Sequence, residues 1–416
     1  MSAPQLRRWP TRSAGYPLRV TAAHPIEQAW ISTGGTGAQN YDEFADESKI
    51  TRIIEANPTS ILAVEMPDRT PEAQAAGLSF QAALPAAAER LAALEETGRF
   101  APASQVVVAY RITDDEHVAH GLFCMIDTSE ISTSADEPGR VIRNEDVFLE
   151  KVKQRAALNE TLGHLLSPVL LVQNAKVDEL QTALADACTG PAAVSEIDHL
   201  GRRHEVWPVP AGPQQDKLCD LAGGGDLIVA DGNHRSLAAQ VGELPRFLAV
   251  VTTPESVTIQ PYHRLINSMP ITGDELAAAL GRRGATVTTM DTELDTPAEP
   301  GVVHLYTDGT SYAVTLPKGE GTIVDRLDHA RVEAVVFNEV LAMDAGDKRI
   351  TYVGGDYPVS WLVEQVDSDE AVAAILVAPV SVDDFISVNL ERLKLPRKST
   401  WFTPKALAGL VLADLR

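Results

Sequence analysis

Cysteine is scarce in this chain. There are three in 416 residues, Cys124, Cys188 and Cys219, and no CxxC pair among them. That excludes a disulfide framework and a thiolate zinc site, and it points to a reducing, cytoplasmic setting. Basic residues are also in deficit, 35 Lys and Arg against 58 Asp and Glu, for a net charge of −23. A chain of this sign repels polyanions, so a long contact with nucleic acid is not expected. No apolar run approaches the roughly 20 residues of a membrane span, so no membrane partner is expected either. The first 26 residues hold four Arg and no acid. They lack the apolar core of a secretory signal, and Pro10 and Pro17 interrupt an amphipathic helix, which leaves an extended arm or first strand. The Gly-rich stretch ISTGGTGAQN (31–40) has no GK[ST] and no GxGxxG, so it reads as a flexible connection rather than a phosphate loop.

What the chain does contain is a strand–turn–helix at DLIVADGNHRSLAAQ (226–240). The apolar run 227–230 reads as a buried strand, and 236–240 as the first turns of a helix. A strand that turns directly into a helix leaves backbone N–H groups without partners, and these favour an anion together with the helix dipole. Gly232 allows close approach of a ligand. His234 and Arg235 add side-chain donors, and Arg can grip two phosphate oxygens at once. Asp231 faces the same place. A carboxylate beside a phosphate is repulsive unless a metal ion or a proton lies between them, so the turn points to phosphate chemistry rather than plain binding. The alternative is an ordinary capped turn with solvated cations.

Apolar content of 44% and charged content of 22% are those of a globular protein long enough for two or three domains. The spacing predicts a helix over 43–57, a strand over 61–65, one long helix over 71–99, and a hairpin of 105–113 with 120–127. STSADEPG (132–139) reads as a boundary. Helices follow at 145–162 and 176–188, a strand at 168–173, and a hairpin turning at Leu200-Gly201. In that hairpin His199 and His204 fall on opposite faces, which disfavours a two-His metal site. A buried strand at 247–253 is expected beside PYHRLI (261–266). Beyond 270 come a hairpin on Asp308-Gly309, a helix over 327–343, a buried strand, a helix, and two closing apolar segments. The expected fold class is α/β with a mixed sheet. The expected division is an N-terminal α/β region (1–140), a catalytic core (141–270) and a C-terminal α/β region (271–416).

DGNHR after an apolar strand resembles the DGHHR signature of the ParB/sulfiredoxin-like superfamily, which includes free-serine kinases. The whole chain is more similar to the domain-of-unknown-function family ten-fifteen. YDEF (41–44) with IIEANPTSILAVEMP (53–67), RNEDVFLEKVKQRAALNETLGHLLSPVLLV (143–172), PYHRLI, and LPRKSTWFTPKALAGLVL (395–412) resemble that family's YDV…NP…P, HExT, PTHRL and PPKSTYFYPKLLSGL segments. The resemblance implies a ParB/sulfiredoxin-like core. It also implies that Glu145 accepts the proton of a substrate hydroxyl. An alcohol is a poor nucleophile, and a nearby carboxylate base is chemically sensible. The other reading of Glu145 is a helix-start acid favoured by the dipole.

By the same resemblance Asp231 is the second acid, either a Mg²⁺ ligand or a partner orienting the hydroxyl. Gly232, Asn233, His234 and Arg235 would hold the nucleotide phosphates. His263, Arg264, Lys398 and Lys405 are candidate substrate or anion contacts; strand-end pairing and hairpin packing are the alternatives. Three departures stand out. Asn233 replaces the first His of DGHHR, Asn144 and Val147 replace the His and Thr of HExT, and Gln39-Asn40 replace a Pro-Pro. Asn keeps a hydrogen bond but carries neither charge nor a proton. The expected function is an ATP-dependent kinase (ADP being the alternative donor) with Mg²⁺, acting on the hydroxyl of free L-serine or a serine-like compound. The alternative is a nucleotide-binding regulatory or interaction protein without turnover. A ParB-like nucleic-acid binder is disfavoured by charge.

Overall fold

The computed structural model describes residues 21–39, 48–115, 117–132, 139–145, 147–344 and 346–416. The YDEF segment, most of the N-terminal arm and most of the 132–139 loop lie outside these residues.

The fold is mixed α/β, built on a 12-stranded sheet. Its path runs Val141–Arg143, Leu227–Asp231, Val169–Gln173, Arg246–Thr252, Val118–Asp127, Phe100–Thr113, Ile26–Ser32, Val411–Asp414, His164–Leu165. Leu227–Asp231 lies parallel to Val141–Arg143 and antiparallel to Val169–Gln173, so the sheet is mixed where the candidate loop leaves it. Alternate residues feed opposite cores, as the strand period of two requires. Val106, Val108 and Tyr110 face one cluster, and Val107 and Ala109 face the other. Helices Val177–Ala187 and Pro213–Ala222 cover the second face, while helix Val382–Leu390 packs on the first through Phe385 and Val388.

A second sheet has six strands, in the order Thr286–Thr289, Thr310–Thr315, Val303–Thr307, Ala373–Leu376, Tyr262–Ile266, Ile350–Gly354. A two-stranded ribbon, Thr258–Gln260 with Trp401–Thr403, marks where the chain leaves for this sheet and where it returns.

The expected hairpins form. Phe100–Thr113 pairs with Val118–Asp127, Val194–Ile197 with Arg203–Val209, and Val303–Thr307 with Thr310–Thr315 across Asp308-Gly309, both at positive φ. Five expectations are corrected. Residues 61–65 are helical (Leu62–Glu65), because a four-residue apolar run carries no period that separates strand from helix. The long helix over 71–99 is two, Pro71–Ala75 and Phe80–Glu96, divided at Gly77 (φ 62°) and restarted by the Ser79 side chain, which accepts from the Ala82 N–H. The helix expected from 145 begins at Leu149, so Glu145 sits in the loop before it. The helix over 327–343 is α-helical only at Asp328–Arg331 and continues as a π-helix, Val332–Val340. Tyr262–Ile266 belongs to the second sheet and is not beside Arg246–Thr252.

Candidate functional site

Strand Leu227–Asp231 is buried until Asp231, then turns through Gly232 into helix Asn233–Val241. Gly232 adopts φ 99°, and a Cβ there would meet Val169 Cα at 3.2 Å and Arg235 Nε at 3.0 Å. Only glycine fits this corner without strain. The first amides of the helix have no intrahelical carbonyl to bond, and no side chain caps them.

The side chains of the turn bond mostly to neighbouring elements. Arg235 pairs with the Asp231 carboxylate and donates from Nη1 to the Pro168 carbonyl at 2.5 Å. The Phe148 N–H donates to His234 Nε2 at 3.1 Å, and the two rings lie 10° from parallel. In that arrangement Nε2 accepts, which leaves the His234 proton on Nδ1. The Asn233 side chain is buried and donates to Asn144 Oδ1 at 2.5 Å. The two motifs that depart from the family pattern, DGNHR and NEDV, therefore meet at their two asparagines.

One segment of the chain ties both acids together. The Lys398 N–H donates to Glu145 Oε2 at 3.1 Å, and the Leu395 N–H donates to the Asn144 carbonyl at 2.9 Å. Further along, Lys405 Nζ lies 3.6 Å from Asp231 Oδ1 and 3.8 Å from the centre of the Trp401 ring. Lys405 is buried, so its ammonium is held between carboxylate and indole rather than left to solvent. Residues 395–405 thus border both Glu145 and Asp231. Strand Trp401–Thr403 anchors the segment, and the Arg202 guanidinium donates to Thr403 Oγ1 at 2.9 Å.

His263 and Arg264 lie within strand Tyr262–Ile266 and are buried. Burial, reinforced by the Arg264 charge, lowers the His263 pKa to about 4. Arg264 donates to the carbonyls of Tyr262 (2.7 Å) and Arg397 (3.4 Å) and stacks 4.6 Å from the Tyr352 ring centre. Through Arg397 it touches the segment that holds Glu145. His263 faces elsewhere, within 3.3 Å of Thr296 Oγ1 and of the Val377 N–H.

Sequence reasoning missed a buried ion pair behind the loop. Arg155 Nη1 is 3.3 Å from Glu65 Oε1, with side-chain exposures of 7% and 1%. Ser167 Oγ also donates to Glu65, and the group lines a cavity shared with Arg235. The available signal was an acid embedded in the apolar run ILAVE. His204 is a second buried group: its Nδ1 lies 2.5 Å from Tyr110 Oη and its Nε2 3.1 Å from Asp198. This chain fixes the hairpin to the main sheet, while His199 is exposed.

Among the described residues no group of three or more His, Cys, Asp or Glu is arranged to hold a metal ion. Asp231 offers carboxylate oxygens to Mg²⁺, but they already face Arg235 and Lys405. This is not a preformed cage, and Mg²⁺ suits the site only as a companion of nucleotide phosphates. No helix among the described residues is long and apolar enough to cross a membrane.

Several solved structures are similar to this chain. A conserved hypothetical protein from Pyrococcus furiosus is 11% identical, over 69% of this chain and 95% of that one, with a TM-score of 0.38. A free serine kinase in complex with AMP is 11% identical, over 69% and 92%, with a TM-score of 0.38. SbnI with C-terminal truncation from Staphylococcus aureus is 14% identical, over 68% and 85%, with a TM-score of 0.36. No curated protein sequence matches the chain. The family model described as protein of unknown function (DUF1015) matches residues 36–330, a span that holds Glu145 and the DGNHR turn, and the chain belongs to that family.

Proposed function

We propose that the protein is a phosphotransferase that moves a phosphoryl group from ATP to the hydroxyl of free L-serine or a serine-like compound. The observation that carries this reading is the joint anchoring of two carboxylates, Glu145 and Asp231, by residues 395–405, beside an open helix N-terminus. A plain anion-binding loop has no use for a second acid.

The amides at Gly232 and Asn233 hold the phosphates, and Arg235 turns from Asp231 to a phosphate oxygen when nucleotide binds. Asp231 would hold a Mg²⁺ ion carried by the nucleotide, and such an ion would neutralise charge on the phosphates. Glu145 accepts the hydroxyl proton as the oxygen attacks the terminal phosphorus. A new O–P bond forms, the bridging O–P bond breaks, and ADP leaves with the bridging oxygen. Lys405 neutralises Asp231 so that the phosphates can approach it.

The test is incubation with ATP, Mg²⁺ and a panel of hydroxy amino acids, with phosphorylated product read by mass spectrometry. Product whose formation depends on Glu145 supports the reading. Tight nucleotide binding with no product on any acceptor replaces it with the regulatory one.

A further inference from the structure

We infer that Arg264, His329 and Glu333, beside the Glu145 loop, form the subsite for the zwitterionic end of the acceptor: Arg264 receives a carboxylate and Glu333 an ammonium. This rests on the reading of Glu145 as the group that faces the acceptor hydroxyl. Glu333 and His329 lie in the part of the chain that supplies the second sheet, and no sequence motif had drawn attention to them.

Three buried atoms there have no hydrogen-bond partner: Arg264 Nε, His329 Nε2 and Glu333 Oε1. His329 and Glu333 are four residues apart on one continuous helical run, so they are side-chain neighbours about one turn apart. The run changes from α to π geometry at Val332, immediately before Glu333, and such widened turns recur at functional sites. Arg264 reaches the cluster from strand Tyr262–Ile266, on the same face as Ile266, which shares one apolar cluster with Val332, Val335 and Val336 of the run. Its charge acts on both His329 and Glu333, and Glu145 acts on it in turn.

Yet Arg264 has no carboxylate within ion-pair distance among the described residues. A fully buried guanidinium whose neighbouring carboxylates, Glu333 and Glu145, act on it only from beyond ion-pair distance is costly, as is a buried carboxylate oxygen without a donor. The two deficits are complementary. An anionic oxygen at Arg264 Nε and a cationic N–H at Glu333 Oε1 would satisfy both and leave the site neutral. Burial accordingly moves Arg264 down and Glu333 up from their ordinary pKa values.

The position relative to the base is also right. Arg264 Nη2 donates to the Arg397 carbonyl, and the next residue, Lys398, donates its N–H to Glu145. A molecule whose carboxylate lies at Arg264 is thereby next to the segment that holds Glu145. An internal water is the competing occupant. It would satisfy the same atoms without discriminating among acceptors.

The experiment is isothermal titration of the full chain, with ADP present, using three probes: L-serine, ethanolamine (no carboxylate) and glycerate (no ammonium). The expected result is L-serine binding about 10-fold or more tightly than either, the worth of one charge-assisted hydrogen bond. Glu333→Gln should abolish the advantage of L-serine over glycerate while leaving ADP affinity unchanged. Equal binding of the three probes by the parent, binding of none, or full discrimination retained in Glu333→Gln overturns the inference. The parent measurements need no variant, so misfolding of Glu333→Gln does not shelter it. Phosphorylation of hydroxyl compounds without preference for the zwitterion sinks the subsite and spares the kinase reading. Preferential L-serine binding without phosphoryl transfer does the reverse.

Discussion

Glu145→Gln separates chemistry from positioning. In the parent, Glu145 Oε2 accepts the Lys398 N–H at 3.1 Å. Glutamine keeps an acceptor oxygen of the same reach, so the 395–405 segment should stay in place. What it loses is the capacity to take a proton at neutral pH. General-base catalysis contributes about 10²–10⁴-fold, or roughly 3–5 kcal/mol of barrier at 1.36 kcal/mol per tenfold. Turnover with MgATP and the preferred acceptor should fall by that factor. Nucleotide affinity should stay within about threefold, because the proposed role of Glu145 is at the acceptor hydroxyl and not at a phosphate; a change that small is below 1 kcal/mol. Glu145→Ala removes the acceptor as well, frees the Lys398 amide, and should lower the melting temperature where Gln does not. The assay is product formation followed by mass spectrometry, with nucleotide affinity by titration and folding by circular dichroism on the same samples. A folded Glu145→Gln protein that turns over like the parent refutes the assignment. One that loses nucleotide binding in step with turnover places Glu145 on the nucleotide instead.

Three further outcomes are expected. Asp231→Asn should lose turnover and also the Mg²⁺-dependent part of nucleotide affinity, and it leaves Lys405 without its carboxylate; titration with and without Mg²⁺ showing an unchanged difference would exclude the metal contact. Arg155→Met strands the buried Glu65 carboxylate and should cost about 3–5 kcal/mol in urea unfolding, whereas Glu65→Leu together with Arg155→Met should recover most of that; a single-variant cost below about 1 kcal/mol counts against a charged pair. Stability should rise with pH between about 4 and 6.5. Burial holds the His263 pKa at about 4, while the unfolded imidazole titrates near 6.5, so the unfolded state binds more protons in this window and the stabilisation lost on acidification returns above it. His329 is shifted in the same direction by burial, and a His263→Gln variant with an unaltered slope across this window would remove His263 as the cause.

The strand–turn–helix of the candidate loop was legible because every signal in it is local: an apolar run, a glycine, then helical spacing. The hairpins were legible for the same reason, since their turns lie between the strands they join. Three kinds of feature were not. Helix and strand were confused at ILAVE, where the run is too short to carry a period. The return of residues 395–405 to Glu145 and Asp231 depends on the two-stranded ribbon of Trp401–Thr403 with Thr258–Gln260, a pairing of distant segments that no local pattern announces. Glu333 gave no signal because its neighbours VEAVVF read as ordinary helix, and Arg264, whose charge acts on it, comes from a strand distant in sequence.

The two asparagines show what is lost when motifs are read one at a time. In sequence, Asn144 and Asn233 are two separate departures from the family pattern, each weakening its own motif. In space they are one contact, 2.5 Å long and buried. Asparagine has both a donor and an acceptor, so two of them can bond without a charge or a shared proton. Changing both yields a neutral contact that is indifferent to pH across the range where histidine titrates. The pair therefore joins the Glu145 loop to the DGNHR turn without a titratable group. Asn233 Oδ1 remains buried and unpartnered at that join. The departures thus change the polar groups at the join, while Glu145 and Asp231 on either side of it are both retained.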